Sequence, residues 1–227
     1  DGGWVRKMTD EEVLKYRMAQ GNKMTRVQNQ DIRMDELVAK ARQAQPGLIV
    51  VDRAVYGKNQ NYLTPENRVP GRALPYPWES CIIAGGGWAW VPDPKFMSPR
   101  EAVHLLVDIV VKGGNLLLNI GPAPDGTWPE EAYTLLEEIG GWMKVNGEAI
   151  YGTRALTPHK DGKACITRKG NDTWYLYYMA DEGENVPASV TMNGLTLPAG
   201  AKVSALGSGA ICRWKNGNGS FTVSVPQ

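Results

Sequence analysis

Apolar positions along the chain follow two rhythms. As far as about residue 150 they alternate between helical spacing and short unbroken runs. DIRMDELVAKARQAQPG puts Ile32, Leu37, Val38 and Ala41 on one face, so it predicts a helix capped by Asp31 and ended by Pro46-Gly47. GLIVVDRA is a continuous β-branched run, and WESCIIAG and NLLLNIGP are further short apolar runs without alternation, the mark of buried parallel strands. SPREAVHLLVDIVVKGG predicts a second helix, with Ser98 as N-cap, Pro99 at its first position, Glu101 completing a capping box and Gly113-Gly114 as the stop. PDGTWPEEAYTLLEEIGGWMKVNG predicts a turn, a capped helix and a glycine stop. Strand, loop, helix, strand is the rhythm of βαβ units.

Beyond about residue 153 the runs shorten and Gly, Asn and Pro punctuate them. KACITRKG, DTWYLYYMA, VPASVTMNG, KVSALGSG, AICRWKNG and SFTVSVPQ predict a small antiparallel sandwich. Alternation in DTWYLYYMA buries one face, so Trp174, Tyr175, Tyr177 and Tyr178, with Trp214, read as core rather than as a ligand surface. The α/β part holds too few strands for a closed barrel. AGGGWAW lacks the spacing of a nucleotide-binding loop and reads as a turn.

Composition narrows the function. With 25 basic and 24 acidic side chains and no run of either sign, nothing favours nucleic acid. No stretch is long and apolar enough to be inserted in a membrane. Two histidines supply neither a His-based metal site nor a Ser-His-Asp triad well. Cys81, Cys165 and Cys212 lack metal spacing, although Cys165 and Cys212 could pair in the β-rich part.

In parallel α/β folds chemistry collects beyond the C-terminal ends of strands. The polar residues expected at such positions are Asp1, Asp52, Arg53, Glu66, Glu79 and Asn119. Each acid taken singly reads as a surface or salt-bridged residue. Two on separate strand-end loops, with Trp4, Trp78, Trp88 and Trp90 nearby, suit glycoside hydrolysis, which needs one ionised carboxylate and one held protonated.

A resemblance sharpens this. KGGNLLLNIGPAPDGTWPEE, continuing to GGWMKVNGEAIYGTR, resembles the C-terminal barrel signature of family 29 glycoside hydrolases, the retaining α-L-fucosidases. PWESC followed by GGGWAWVPD is similar to the segment upstream of it in that family, and the likeness runs from Asp1 to Arg154. It implies an α/β fold: residues 1–152 as the C-terminal half of a (β/α)8 TIM-like barrel, residues 153–227 as a small antiparallel β-sandwich.

The resemblance also implies roles. Asp1-Gly2-Gly3-Trp4 matches the family's nucleophile motif, with Asp1 as nucleophile and Trp4 beside it. Thr64-Pro65-Glu66 matches the context of the acid/base, and Glu79 of the Trp-Glu pair is its rival. Arg53 and Trp88 match residues that contact fucose, and Trp4 and Glu79 are further substrate-binding candidates. The implied substrate is a fucosylated glycan, no metal or cofactor takes part, and members are exported, to the periplasm or outside in bacteria and to lysosomes in animals. Relatives carry the first half of the barrel ahead of the nucleophile. This chain is therefore expected to be part of a longer or cleaved protein, with that N-terminal half as its partner, and alone not to hydrolyse an aryl α-L-fucoside. The alternatives are a non-catalytic glycan-binding fragment and a different retaining glycosidase on a similar barrel.

Overall fold

The computed structural model describes residues 33–51 and 59–226. The chain divides into two compact units between Thr64 and Pro65.

In the first unit, helix α1 spans Met34–Ala44. Its N-cap position is Arg33, in the left-handed region at φ 51° and without a side-chain cap bond; Asp31 and Ile32 lie outside the described residues. Asp35 and Glu36 in the first turn and Arg42 in the last complement the helix dipole. Val38 is buried but Leu37 is exposed, so the predicted apolar face is narrower than expected. LIVV is also not the predicted buried strand. Among the described residues Val51 makes a single parallel bridge to Tyr62, and Ile49 is exposed. An apolar run becomes a buried parallel strand only when neighbours cover both faces. Here polar ties hold it instead. Arg42 donates to the Leu48 and Asn59 carbonyls and to Asn61 Oδ1, which also accepts from the Val50 N–H at 2.9 Å.

The second unit opens its regular structure with a βαβ element. Strands β1 (Glu79–Ile83) and β2 (Asn115–Asn119) pair in parallel, from Glu79 opposite Asn115 to Ile83 opposite Asn119. Helix α2 (Pro99–Val111) connects them and begins as predicted. Ser98 Oγ accepts from the Glu101 N–H at 3.2 Å, and Glu101 returns a bond to the Ser98 N–H at 2.7 Å. Burial of β2 is less than predicted: Leu117 is 50% exposed, because among the described residues this sheet has two strands and β2 is covered on one edge only.

Trp78 anchors the element. It is 0% exposed and its indole N–H reaches the Lys112 carbonyl. A Cβ at Gly114 would lie 2.4 Å from the Trp78 ring. Gly114→Ala is therefore expected to cost about 1–3 kcal/mol through overpacking. A urea midpoint that falls at constant slope would bear this out, and an unmoved midpoint would not.

Helix α3 spans Glu130–Ile150, longer than predicted. Pro129 occupies the N-cap without a side-chain bond, and the chain runs through Gly147 rather than stopping there. A mid-helix glycine costs only about 1 kcal/mol, and burial of Ala149 and Ile150 outweighs it. The stop is Tyr151-Gly152, where Gly152 has φ 71° and Thr153 Oγ1 caps the Ile150 carbonyl at 2.8 Å.

Two three-stranded antiparallel sheets follow, as the sandwich pattern predicts. β3 (Arg154–Asp161), β4 (Ala164–Lys169) and β5 (Thr173–Tyr178) form one, in the order β3-β4-β5. β6 (Ser189–Asn193), β7 (Trp214–Gly217) and β8 (Ser220–Ser224) form the other, ordered β6-β8-β7. The strand list differs from the prediction in two places. RALTPHKD is a strand despite Pro158, because β3 is an edge with a register shift between Ala155 and Lys160 where a missing N–H is tolerated. KVSALGSG contributes no strand, only the bridge from Ser204 to Ile211.

Both faces of the first sheet are used. Ile166, Met192, Phe221 and Val223 fill the space between the sheets. On the opposite face Cys165 packs with Val107 and Val111 of α2 and Ile150 of α3. β5 therefore does not bury a single face. Trp174, Leu176 and Tyr178 turn to the inter-sheet core, while Tyr177 joins the helical cluster and donates to the Ala149 carbonyl. Burial pushes the Tyr177 hydroxyl up to about 12.

This layering also rules out a Cys165–Cys212 pair: Cys212 lies in the inter-sheet core and Cys165 beyond β4 on the other side. Burial pushes the Cys165 thiol up to about 11, which suppresses the reactive thiolate. In the folded protein at mildly alkaline pH both thiols are expected to resist a thiol reagent and to label on adding denaturant. Fast labelling of either in the native state would contradict this packing.

Candidate active site

The parallel pair fixes where a site can form. Ile83 and Asn119 are the last residues of β1 and β2 and stand opposite each other. All five residues of β1 pair with β2 on one edge, so the Glu66 segment occupies the other: Glu66 makes a parallel bridge to Cys81. Asn67 donates its N–H to the Cys81 carbonyl at 2.8 Å, and Asn67 Oδ1 accepts from the Ile83 N–H at 3.4 Å. Asn67 adopts φ 50°, a left-handed conformation that Asn tolerates better than most residues. Ser80 Oγ secures the next residue by donating to the Arg68 carbonyl at 2.7 Å. Glu66 is thus held level with the middle of β1 on an exposed segment.

The loop after β1 carries Trp88. Its base is closed by the bridge between Gly85 and Phe96 and by the Met97 N–H on the Ala84 carbonyl at 2.9 Å. Asn119 fastens it from β2: its carbonyl accepts from the Ala84 N–H at 2.9 Å, and its Nδ2 donates to the Trp88 carbonyl at 3.2 Å. The Glu66 segment, β1, β2 and the Trp88 loop thereby follow one another as neighbours.

Glu79 is elsewhere. It opens β1, opposite Asn115 and next to the buried Trp78. Three residues, and so four rises of about 3.3 Å, separate it from Ile83. Asp1, Trp4, Asp52 and Arg53 lie outside the described residues. Both histidines sit on α2 and β3, where burial, with Arg100 near His104 and Lys112 near His159, lowers their proton affinity. Among the described residues no group of three or more His, Cys, Asp or Glu could hold a metal ion, and no helix is long and apolar enough to cross a membrane. Sequence reasoning singled out Asn119 as a strand-end residue but not as the loop's anchor, and it missed Asn67. The one available signal for Asn67 was an Asn directly after Pro-Glu, a composition suited to a turn.

Comparison with known proteins gives this arrangement its context. The rat (Rattus norvegicus) plasma alpha-L-fucosidase is 38% identical over 123 residues, covering 52% of this chain and 26% of the rat protein. An alpha-L-fucosidase from Dictyostelium discoideum is 32% identical over 166 residues, 65% of this chain and 35% of that protein. The crystal structure of the Thermotoga maritima alpha-fucosidase in complex with a mechanism-based inhibitor superposes with a TM-score of 0.71 at 29% identity, over 85% of this chain and 45% of that one. The chain therefore spans about a quarter of the rat relative's length and under half of the other two. The alpha-L-fucosidase family pattern itself matches residues 1–148 of the 227, and on that match this chain belongs to the α-L-fucosidase family.

Proposed function

We propose that this chain is the C-terminal part of a retaining α-L-fucosidase that removes terminal α-L-fucose from glycans. Residues 1–152 would complete a (β/α)8 barrel together with an N-terminal half, and residues 153–227 would form the β-sandwich attached to it. The observation that carries the reading is the row of Glu66, the β1 and β2 ends and the Trp88 loop, in a chain of this family. One acid beside a parallel strand and one exposed aromatic on the loop that follows it are half of what glycoside hydrolysis requires.

Asp1 supplies the other acid. Its carboxylate attacks the anomeric carbon as the glycosidic C–O bond breaks, and protonated Glu66 gives its proton to the leaving oxygen. Water then attacks the covalent fucosyl-enzyme. Glu66, now ionised, takes the water's proton, the bond to Asp1 breaks, and fucose leaves with its configuration retained. The two carboxyl groups should stand about 5–5.5 Å apart in the complete barrel. Arg53 holds sugar hydroxyls, Trp88 packs on the apolar face of fucose, and Trp4, three residues after the nucleophile in sequence, contributes to substrate binding. Glu79, at the start of β1, fits a supporting role next to Trp78 better than that of acid/base. The chemistry uses no metal or cofactor.

A panel of aryl glycosides given to the complete protein tests this. Hydrolysis of the α-L-fucoside alone is expected. Turnover of another sugar would favour a different retaining glycosidase, and binding of fucosylated glycans without turnover would favour a binding protein.

A further inference from the structure

The loop after β1 presents a second tryptophan that the reaction as described does not use. Trp88 and Trp90 are each 43% exposed, and the backbone beneath them is fixed at both ends and in the middle. Gly85 bridges Phe96, and Gly86 N–H meets the Lys95 carbonyl at 3.3 Å. Asn119 Nδ2 holds the Trp88 carbonyl at 3.2 Å. The backbone of Ala89–Trp90 lies so close to Gly121 that a Cβ there would be 2.5 Å from Ala89 C and 2.6 Å from Trp90 N. A flexible loop could turn large rings inward, but this one is pinned with both exposed. Rigid, exposed aromatic surface of this size next to a site is what ligand binding uses, because little conformational entropy is lost when the partner arrives.

Resting on the fucosidase reading, we propose that Trp90 is a specificity-determining residue. Trp88 takes the fucose, and Trp90 takes the saccharide unit that bears it, packing its ring on that sugar's C–H face. Asn119 is the positioning residue that holds the pair.

The test compares two substrates on the complete enzyme: a fucosylated trisaccharide, and α-L-fucosyl fluoride, which has no second sugar. Trp90→Ala is expected to lower the ratio of kcat/KM for the trisaccharide to that for the fluoride about tenfold, mainly through KM. Trp90→Tyr should restore most of the ratio. Trp88→Ala should depress both substrates together and leave the ratio near its parent value. A Trp90→Ala ratio equal to the parent's would overturn the inference, even if both rates fell. A parent enzyme inactive on the fluoride would instead overturn the fucosidase reading, and the inference with it.

Discussion

Asp1→Asn in the complete enzyme is expected to reduce turnover of an aryl α-L-fucoside by about 10⁴-fold or more, the scale of losing a covalent nucleophile. The side chain keeps its size and loses its charge, so nothing remains to attack the anomeric carbon. The reason to assign this to Asp1 is the resemblance of Asp1-Gly2-Gly3-Trp4 to the family's nucleophile motif, within the residues that the family pattern matches. Asp1→Gly leaves room for a small anion. Azide entering that space attacks from the nucleophile's side and should give β-L-fucosyl azide. A variant that retains a tenth of parental activity would remove Asp1 from the mechanism.

Glu66→Gln is expected to behave differently. Loss of general acid–base assistance costs about 10²–10⁴-fold, but unevenly. Substrates with poor leaving groups need the proton and should slow most, whereas an activated aryl fucoside should still form the fucosyl-enzyme and then stall. Azide needs no base, so it should release that intermediate from the Glu66 side and give α-L-fucosyl azide. The opposite anomers from the two variants separate the roles of the two acids. If Glu79→Gln shows the leaving-group dependence and α-azide product instead, Glu79 is the acid/base and the arrangement of Glu66 beside Cys81 serves another purpose.

Legibility varied with how local the cause was. The α2 start was readable because a capping box is written within four residues, Ser98 to Glu101. The parallel pairing of WESCII with NLLLN and the two antiparallel sheets follow from runs whose composition admits few other states. Where the outcome depended on distant partners, the reading failed. LIVV is as apolar as β1, yet among the described residues it makes one bridge, because strand formation needs neighbours that a run does not encode. α3 passes Gly147 because Ala149 and Ile150 are buried by other elements. Cys165 and Cys212 are close in pattern but lie on opposite faces of one sheet, a fact set by the parity of β4. Glu66 and Trp88 could be named from motifs, but the placement of their segments beside β1 and β2 could not. It depends on Asn67 in a left-handed turn and on the Asn119 amide reaching across to the Trp88 carbonyl.

The most direct test of the central claim is to trap the covalent intermediate. The complete enzyme is incubated with a 2-deoxy-2-fluoro-fucosyl fluoride, whose second step is slowed, then digested and mapped by mass spectrometry. The account predicts one added fluorofucosyl group per active site, on the peptide carrying Asp1, with activity lost in step. A label on any other carboxylate, or continued turnover of an aryl α-L-fucoside with no label formed, would contradict it.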